Sequence, residues 1–159
     1  MKENIIETTL MAGDLKVAII FSRFNELIVS KLYGGAKEAF IRHEGKVENI
    51  TTVYVPGCFE IPLAAQMLAR KKEYDAILCL GAVIRGSTSH YDFVAGETAK
   101  GISKVALDES TPVIFGVLTT ENIEQAIERA GTKMGNKGYE CMMSAIEMGR
   151  LMKKMKENQ

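Results

Sequence analysis

LCLGAVIRGSTSHYD, Leu78 to Asp92, decides how this chain is read. An apolar run of strand character empties into a glycine-flanked arginine, then hydroxyl residues, then His90, one of two histidines in the chain. A strand that passes through such a loop into a helix is where an α/β protein holds an anion and moves protons. Outward from this stretch the chain alternates two periodicities. KVAIIF, Lys16 to Phe21, is a continuous apolar run, as expected of a strand covered on both faces. Asn25 to His43 places Ile28, Leu32, Ala36, Ala39, Phe40 and His43 on one helical stripe. Val47 to Val55 reads as a strand stopped at Pro56-Gly57, Ile61 to Lys71 as a helix with Pro62 in its first turn, and Ala76 to Ile84 as the third strand. A helix from about Tyr91 to Leu107, a strand from Val113 to Leu118, and two helices split near Gly131 to Gly138 complete the pattern.

Four strands alternating with helices predict a parallel sheet between two helix layers, an α/β/α sandwich with right-handed crossovers. Every loop leaving a strand then opens on the same edge: Ser22 to Asn25, Pro56 to Glu60, Arg85 to His90, and Thr119 to Asn122. Open parallel sheets bind ligands at that edge, near the switch in strand order, so topology gathers the polar loop residues independently of any motif.

The length of 159 residues and 47% hydrophobic content fit one domain with a proper core, residues 14–159, preceded by an arm over residues 1–13. Basic and acidic residues both total 20, so the field around the protein favours neither nucleic acid nor an anionic membrane, and a small anion must be captured locally. Cys58, Cys79 and Cys141 are an odd set without metal-ligand spacing, which argues against a disulfide framework or a zinc site and for a reducing, cytoplasmic setting. MKENIIETTLMAG lacks the apolar run of a signal peptide, and no later stretch approaches the length of a membrane span.

Each loop also has an ordinary reading. A histidine at a helix start is commonly structural, but Gly86, Ser87 and Thr88 precede it, and N–H groups with short hydroxyls suit a phosphate oxygen as well as a plain N-cap. Phe24, after the first strand, serves equally as a hydrophobic staple or a stacking surface. PGCFEIP, Pro56 to Pro62, holds Phe59 and Glu60 between two prolines, where a rigid carboxylate can favour its helix dipole or accept hydroxyl protons from a polyol. Arg129 reads as a solvated helix cation, and Lys137 with Glu140 as an exposed pair of little energetic value. Three glycines from Gly131 to Gly138 nonetheless cost backbone entropy and point to a tight bend.

RFN (Arg23 to Asn25), PGCFEIP, GAVIRGSTSHYD (Gly81 to Asp92), VIFGVLTTENIEQAIERAGTKMGNKG (Val113 to Gly138) and SAIEM (Ser144 to Met148) together resemble the 6,7-dimethyl-8-ribityllumazine synthases. They span nearly all of the chain, in family order and spacing. One departure is Cys58, where that family commonly has a small residue such as alanine. The resemblance implies a flavodoxin-like sandwich that condenses 5-amino-6-(D-ribitylamino)uracil with 3,4-dihydroxy-2-butanone 4-phosphate, without metal or organic cofactor. It implies that Phe24 stacks on the pyrimidine and that Asn25, Cys58, Phe59, Glu60, Val83, Ile84 and Phe115 hold ring and ribityl chain. Gly86, Ser87, Thr88 and Arg129 would hold the phosphate, His90 would move protons, Glu140 would orient His90, and Lys137 would be an accessory cation.

The resemblance further implies homo-oligomers, pentameric rings with sites between subunits, and, from the short GTKMGNKG bend, a shell of 60 copies with riboflavin synthase as a candidate partner. Asn4 to Leu10, NIIETTL, has strand character without a partner in the alternation; it reads as a strand added to a neighbouring subunit's sheet or as a frayed terminus. Met142, Met143, Met148, Met152 and Met155 read as apolar packing on the last helix. Two other classes compete: a riboflavin synthase of the archaeal type acting on two lumazines, and a non-catalytic flavin carrier or structural shell. A flavodoxin or receiver domain is disfavoured, because SRFN after the first strand offers neither a Gly/Thr phosphate loop nor a phosphoacceptor Asp.

Overall fold

The computed structural model describes residues 1–159. Strands β1 (Val17–Ser22), β2 (Ile50–Val55), β3 (Ala76–Ile84) and β4 (Val113–Thr120) form one all-parallel sheet in the order β2-β1-β3-β4. Helices α1 (Glu26–Arg42), α2 (Ile61–Arg70), α3 (His90–Glu109), α4 (Ile123–Glu128) and α5 (Lys137–Glu157) complete a flavodoxin-like α/β/α sandwich.

The two-residue period of the central strands builds both layers. Val17, Ile19 and Phe21 of β1, with Leu78, Leu80 and Ala82 of β3, pack beneath α1 and α5 against Leu32, Ala36, Phe40, Met142 and Ile146. Ala18 and Ile20, with Ile77, Cys79 and Val83, face α2 and α3 through Ile61, Ala65, Leu68, Ile102 and Val105. Strands buried on both faces have no polar side, which is why β1 and β3 read as unbroken apolar runs.

Edges depart from the sequence expectation where pairing, rather than composition, sets the limit. The second strand begins at Ile50, because β1 offers no partner before Val17↔Ile50; Val47–Asn49 instead make a single 3₁₀ turn. The fourth strand continues to Thr120, because β3 pairs with it as far as Ile84↔Thr120. Between α4 and α5 the expected bend is a small antiparallel hairpin of β5 (Ala130–Thr132) and β6 (Gly135–Asn136), with Gly131 and Gly135 at φ 109° and 75°, conformations that favour glycine.

Residues 1–9 have no regular structure, and Asn4 to Leu10 pairs with no strand of its own chain. The root of this arm is held by α5: Arg150 donates to the Met11 and Ala12 carbonyls at 2.8 and 2.7 Å, and Lys154 to the Glu7 carbonyl at 2.7 Å. Of the methionine stripe only Met142 is fully buried; Met143 packs against the core edge, and Met148 and Met155 are exposed. His43 is half-buried, with Nδ1 2.7 Å from the Ala39 carbonyl and its ring against Tyr139, a structural role.

Candidate active site

Strand order reverses between β1 and β3, and the loops leaving β1, β2 and β3 meet there. They and the start of α3 enclose a cleft of about 550 Å³, lined by Phe24, Asn25, Cys58, Phe59, Glu60, Val83, Ile84, Gly86, Thr88 and His90 among others. Small-molecule sites have about this size, roughly 300–1,000 Å³.

The first loop leaves the sheet beside the second. Arg23 N–H donates to the Val55 carbonyl at 2.9 Å and Phe24 N–H to the Pro56 carbonyl at 3.1 Å. Asn25 turns the chain in the left-handed region at φ 64°, which asparagine tolerates better than most residues, and its Nδ2 donates to the Ala82 carbonyl at 2.9 Å. That bond ties the loop to β3 and leaves the Phe24 ring 72% exposed in the cleft, an aromatic face without a partner in its own chain.

In the second loop, Cys58–Glu60 form one 3₁₀ turn ahead of α2. The Cys58 thiol is buried and donates to Ser22 Oγ at 3.6 Å, and it fills the space that a side chain on Gly81 would need. Burial pushes this thiol above the ordinary cysteine range against the opposing pull of Ser22, so it is a neutral packing group and a poor nucleophile. Gly57 leaves room for the Glu60 carboxylate; a Cβ there would stand 3.1 Å from Glu60 Oε2.

In the third loop, residues 85–90 are all exposed. His90 opens α3, and its N–H reaches Thr88 Oγ1 at 3.4 Å, a long capping contact; Ser89, at the N-cap itself, makes no side-chain bond. An anion at Gly86–Thr88 would therefore meet a helix start that its own chain caps weakly. Gly57, Ala82, Tyr91, Phe93 and Val94 also line the cleft, unanticipated from sequence. His90, Phe93 and Val94 share the i, i+3, i+4 face of α3, a periodicity that was available to find them.

Ser87, Phe115, Arg129, Lys137 and Glu140 do not line this cleft; Ser87 sits between two lining residues, Gly86 and Thr88, on the exposed loop. Phe115 lies midway along β4; Arg129 follows α4 and donates to the Gln125 carbonyl at 3.1 Å. Lys137 and Glu140 pair with each other at 3.5 Å on the first turn of α5. The expected orientation of His90 by Glu140 does not occur within one chain, because α3 and α5 pack on opposite faces of the sheet. Arg129 likewise does not line the cleft with Gly86 and Thr88, and the end of β4 and the residue after it meet the third loop at Arg85, through the Thr120 carbonyl and the Glu121 carboxylate.

No group of three or more His, Cys, Asp or Glu residues is placed to hold a metal ion, and no helix is long and apolar enough to cross a membrane. The family model described as 6,7-dimethyl-8-ribityllumazine synthase matches residues 14–153, a span that contains every element of the sheet and every residue lining the cleft. The chain belongs to the 6,7-dimethyl-8-ribityllumazine synthase family and is an enzyme, a lumazine synthase of the transferase class in riboflavin biosynthesis.

Proposed function

We propose that the enzyme condenses 5-amino-6-(D-ribitylamino)uracil with 3,4-dihydroxy-2-butanone 4-phosphate to give 6,7-dimethyl-8-ribityllumazine, inorganic phosphate and water, the penultimate step of riboflavin biosynthesis. One observation carries this reading: a bare aromatic ring, a carboxylate, a weakly capped helix start and an imidazole converge on a single cleft, as Phe24, Glu60, Gly86 with Thr88, and His90.

Phe24 stacks on the pyrimidine, and Asn25, Phe59, Glu60 and the backbone at Cys58, Val83 and Ile84 hold the ring edge and ribityl chain. Gly86, Ser87 and Thr88 hold the phosphate, and the His90 imidazole relays protons as the imine forms and phosphate leaves. Much of the acceleration comes from holding a reactive diamine against an activated ketone, chemistry that calls for no cofactor.

Phe115, Arg129, Lys137 and Glu140 belong to this reading as groups lent to the cleft of an adjacent copy, with Arg129 completing the phosphate site through its planar fork. Pentameric rings, their stacking into a 60-copy shell, strand addition by the residue 1–13 arm, riboflavin synthase as a partner and a cytoplasmic location are parts of the same proposal. The deciding experiment mixes purified protein with both substrates and follows lumazine absorbance and phosphate release together. Stoichiometric appearance of both is expected; release of neither rejects the reaction, and riboflavin formed from lumazine alone would select the riboflavin synthase reading. Mixing His90→Ala and Arg129→Ala subunits tests shared sites: regained turnover is expected, and a mixture no better than its components rejects the sharing.

A further inference from the structure

The loop that carries Gly86–Thr88 and His90 has little packing of its own. Residues 85–90 are exposed, a side chain built on Gly86 would meet nothing within 4 Å, and the cap on His90 N–H is long. What holds it is Arg85. The Arg85 N–H donates to the Thr120 carbonyl at 2.9 Å, Nε donates to Glu121 Oε2 at 2.8 Å, and Nη2 donates to Asp92 Oδ1 at 3.2 Å. Its guanidinium carbon lies 4.2 Å from the centre of the Tyr91 ring. Tyr91 and Asp92 follow His90 directly, so one side chain ties the start of the loop to its far end and both to the end of β4. Glu121 is itself steadied, since its N–H donates to Gln125 Oε1 and Gln125 N–H donates to Asn122 Oδ1, both at 2.8 Å.

We infer that Arg85 is a positioning residue that clamps both ends of the 85–92 loop and so fixes the anion-holding segment relative to the His90 imidazole. The inference rests on the reading of the site given above. Arg85 does not line the cleft, so it acts through the loop rather than on substrate. Stability alone does not account for it, because ion pairs this exposed contribute little to folding. Geometry does: a planar fork can serve two carboxylates while its face rests on a ring, which an ammonium cannot reproduce.

Three variants, Arg85→Ala, Arg85→Lys and Glu121→Gln, are compared with the unaltered enzyme by steady-state kinetics, thermal melting and amide hydrogen exchange across residues 86–92. Melting temperatures should stay within about 2 °C. At saturation with both substrates, kcat should fall about tenfold in both Arg85 variants and several-fold in Glu121→Gln, with exchange of the loop amides faster in all three. An Arg85→Lys enzyme with restored kcat overturns the inference, since charge alone would then suffice. So does unchanged exchange in Arg85→Ala, or faster exchange with unchanged kcat. Should Arg85→Ala fail to fold, Glu121→Gln and Asp92→Asn carry the same comparison with Arg85 retained. If the unaltered protein forms no lumazine, the proposed reaction fails, and loop exchange by itself then decides the clamp.

Discussion

Two regions of the molecule carry candidate residues, and they are built in opposite ways. The rim formed by the β1, β2 and β3 loops is concave and cross-tied: Asn25 bonds the end of β3, Cys58 bonds Ser22, and Arg85 spans the third loop. The region of β4, α4 and the β5–β6 hairpin leaves Phe115, Ile123, Ile127 and Met134 exposed. Its side-chain ties are mostly local, such as Thr132 Oγ1 donating to the Ile127 carbonyl at 2.8 Å, and its seat on the rest of the fold is a close backbone approach: Gly138, at the start of α5, lies directly on the backbone of Leu32 in α1. Asn136 adds one bond from Nδ2 to the Lys31 carbonyl at 2.9 Å and accepts Tyr139 N–H at 3.1 Å. A rim built this way can enclose a small molecule by itself. Arg129 and Glu140 of the other region line no part of that cleft, so the sharing proposed above is the way they would meet a substrate held in it.

The harshest way to break that comparison is Gly138→Ala. The new methyl would collide with the Leu32 backbone, which has no rotamer to yield, so α1 and α5 must part at the cost of about 3 kcal/mol. Denaturant unfolding should show a free energy of unfolding lowered by that amount; a loss below about 1 kcal/mol would mean a looser joint between α1 and α5. Next in size is His90→Ala on the cleft side. With binding and approximation left intact, kcat should fall about a hundredfold, roughly 2.7 kcal/mol of barrier, while turnover remains measurable. No detectable turnover, despite normal ligand binding, would assign the imidazole more of the chemistry than this arrangement gives it.

The two regions also differ in how legible they were. The sheet was readable because β1 and β3 are buried on both faces; the expected span of the third strand, Ala76 to Ile84, is the observed one. The cleft followed from topology, since loops leaving parallel strands share an edge whichever residues they carry. The β5–β6 hairpin was invisible: strands of three and two residues have no periodicity, and their register is irregular. That Glu140 and His90 do not meet within one chain was not legible, because linear order does not say that α3 and α5 lie on opposite faces of the sheet. Arg85 was passed over because its meaning depends on Glu121, thirty-six residues on.

A gentler break separates the halves functionally. Arg129 uses Nη1 on the Gln125 carbonyl, and the rest of its fork makes no other side-chain bond within the chain. If that fork meets the phosphate of a substrate in an adjacent cleft, Arg129→Ala removes charge-assisted bonds of about 1.5–3 kcal/mol. The half-saturating concentration of the phosphorylated ketone should rise at least tenfold, roughly 1.4 kcal/mol, with that of the diamine unchanged. An unaltered saturation curve would take Arg129 out of the phosphate site.

The smallest effect sharpens the description of the cleft floor. Cys58 opens the turn ahead of α2, and its thiol points to Ser22 and Gly81 rather than acting as an exposed nucleophile. Cys58→Ala leaves the backbone of the turn in place, opens a gap the size of one sulfur atom and removes a weak donor from Ser22. About 1 kcal/mol of stability should be lost, with both KM values within about twofold. Alkylation of the native protein should likewise be slow at this thiol, since only the scarce thiolate reacts and burial disfavours it. If Cys58→Ala instead kept full stability but lowered kcat more than about threefold, the sulfur would be touching substrate, and the floor of the cleft would have to be redrawn with the side chain turned into it.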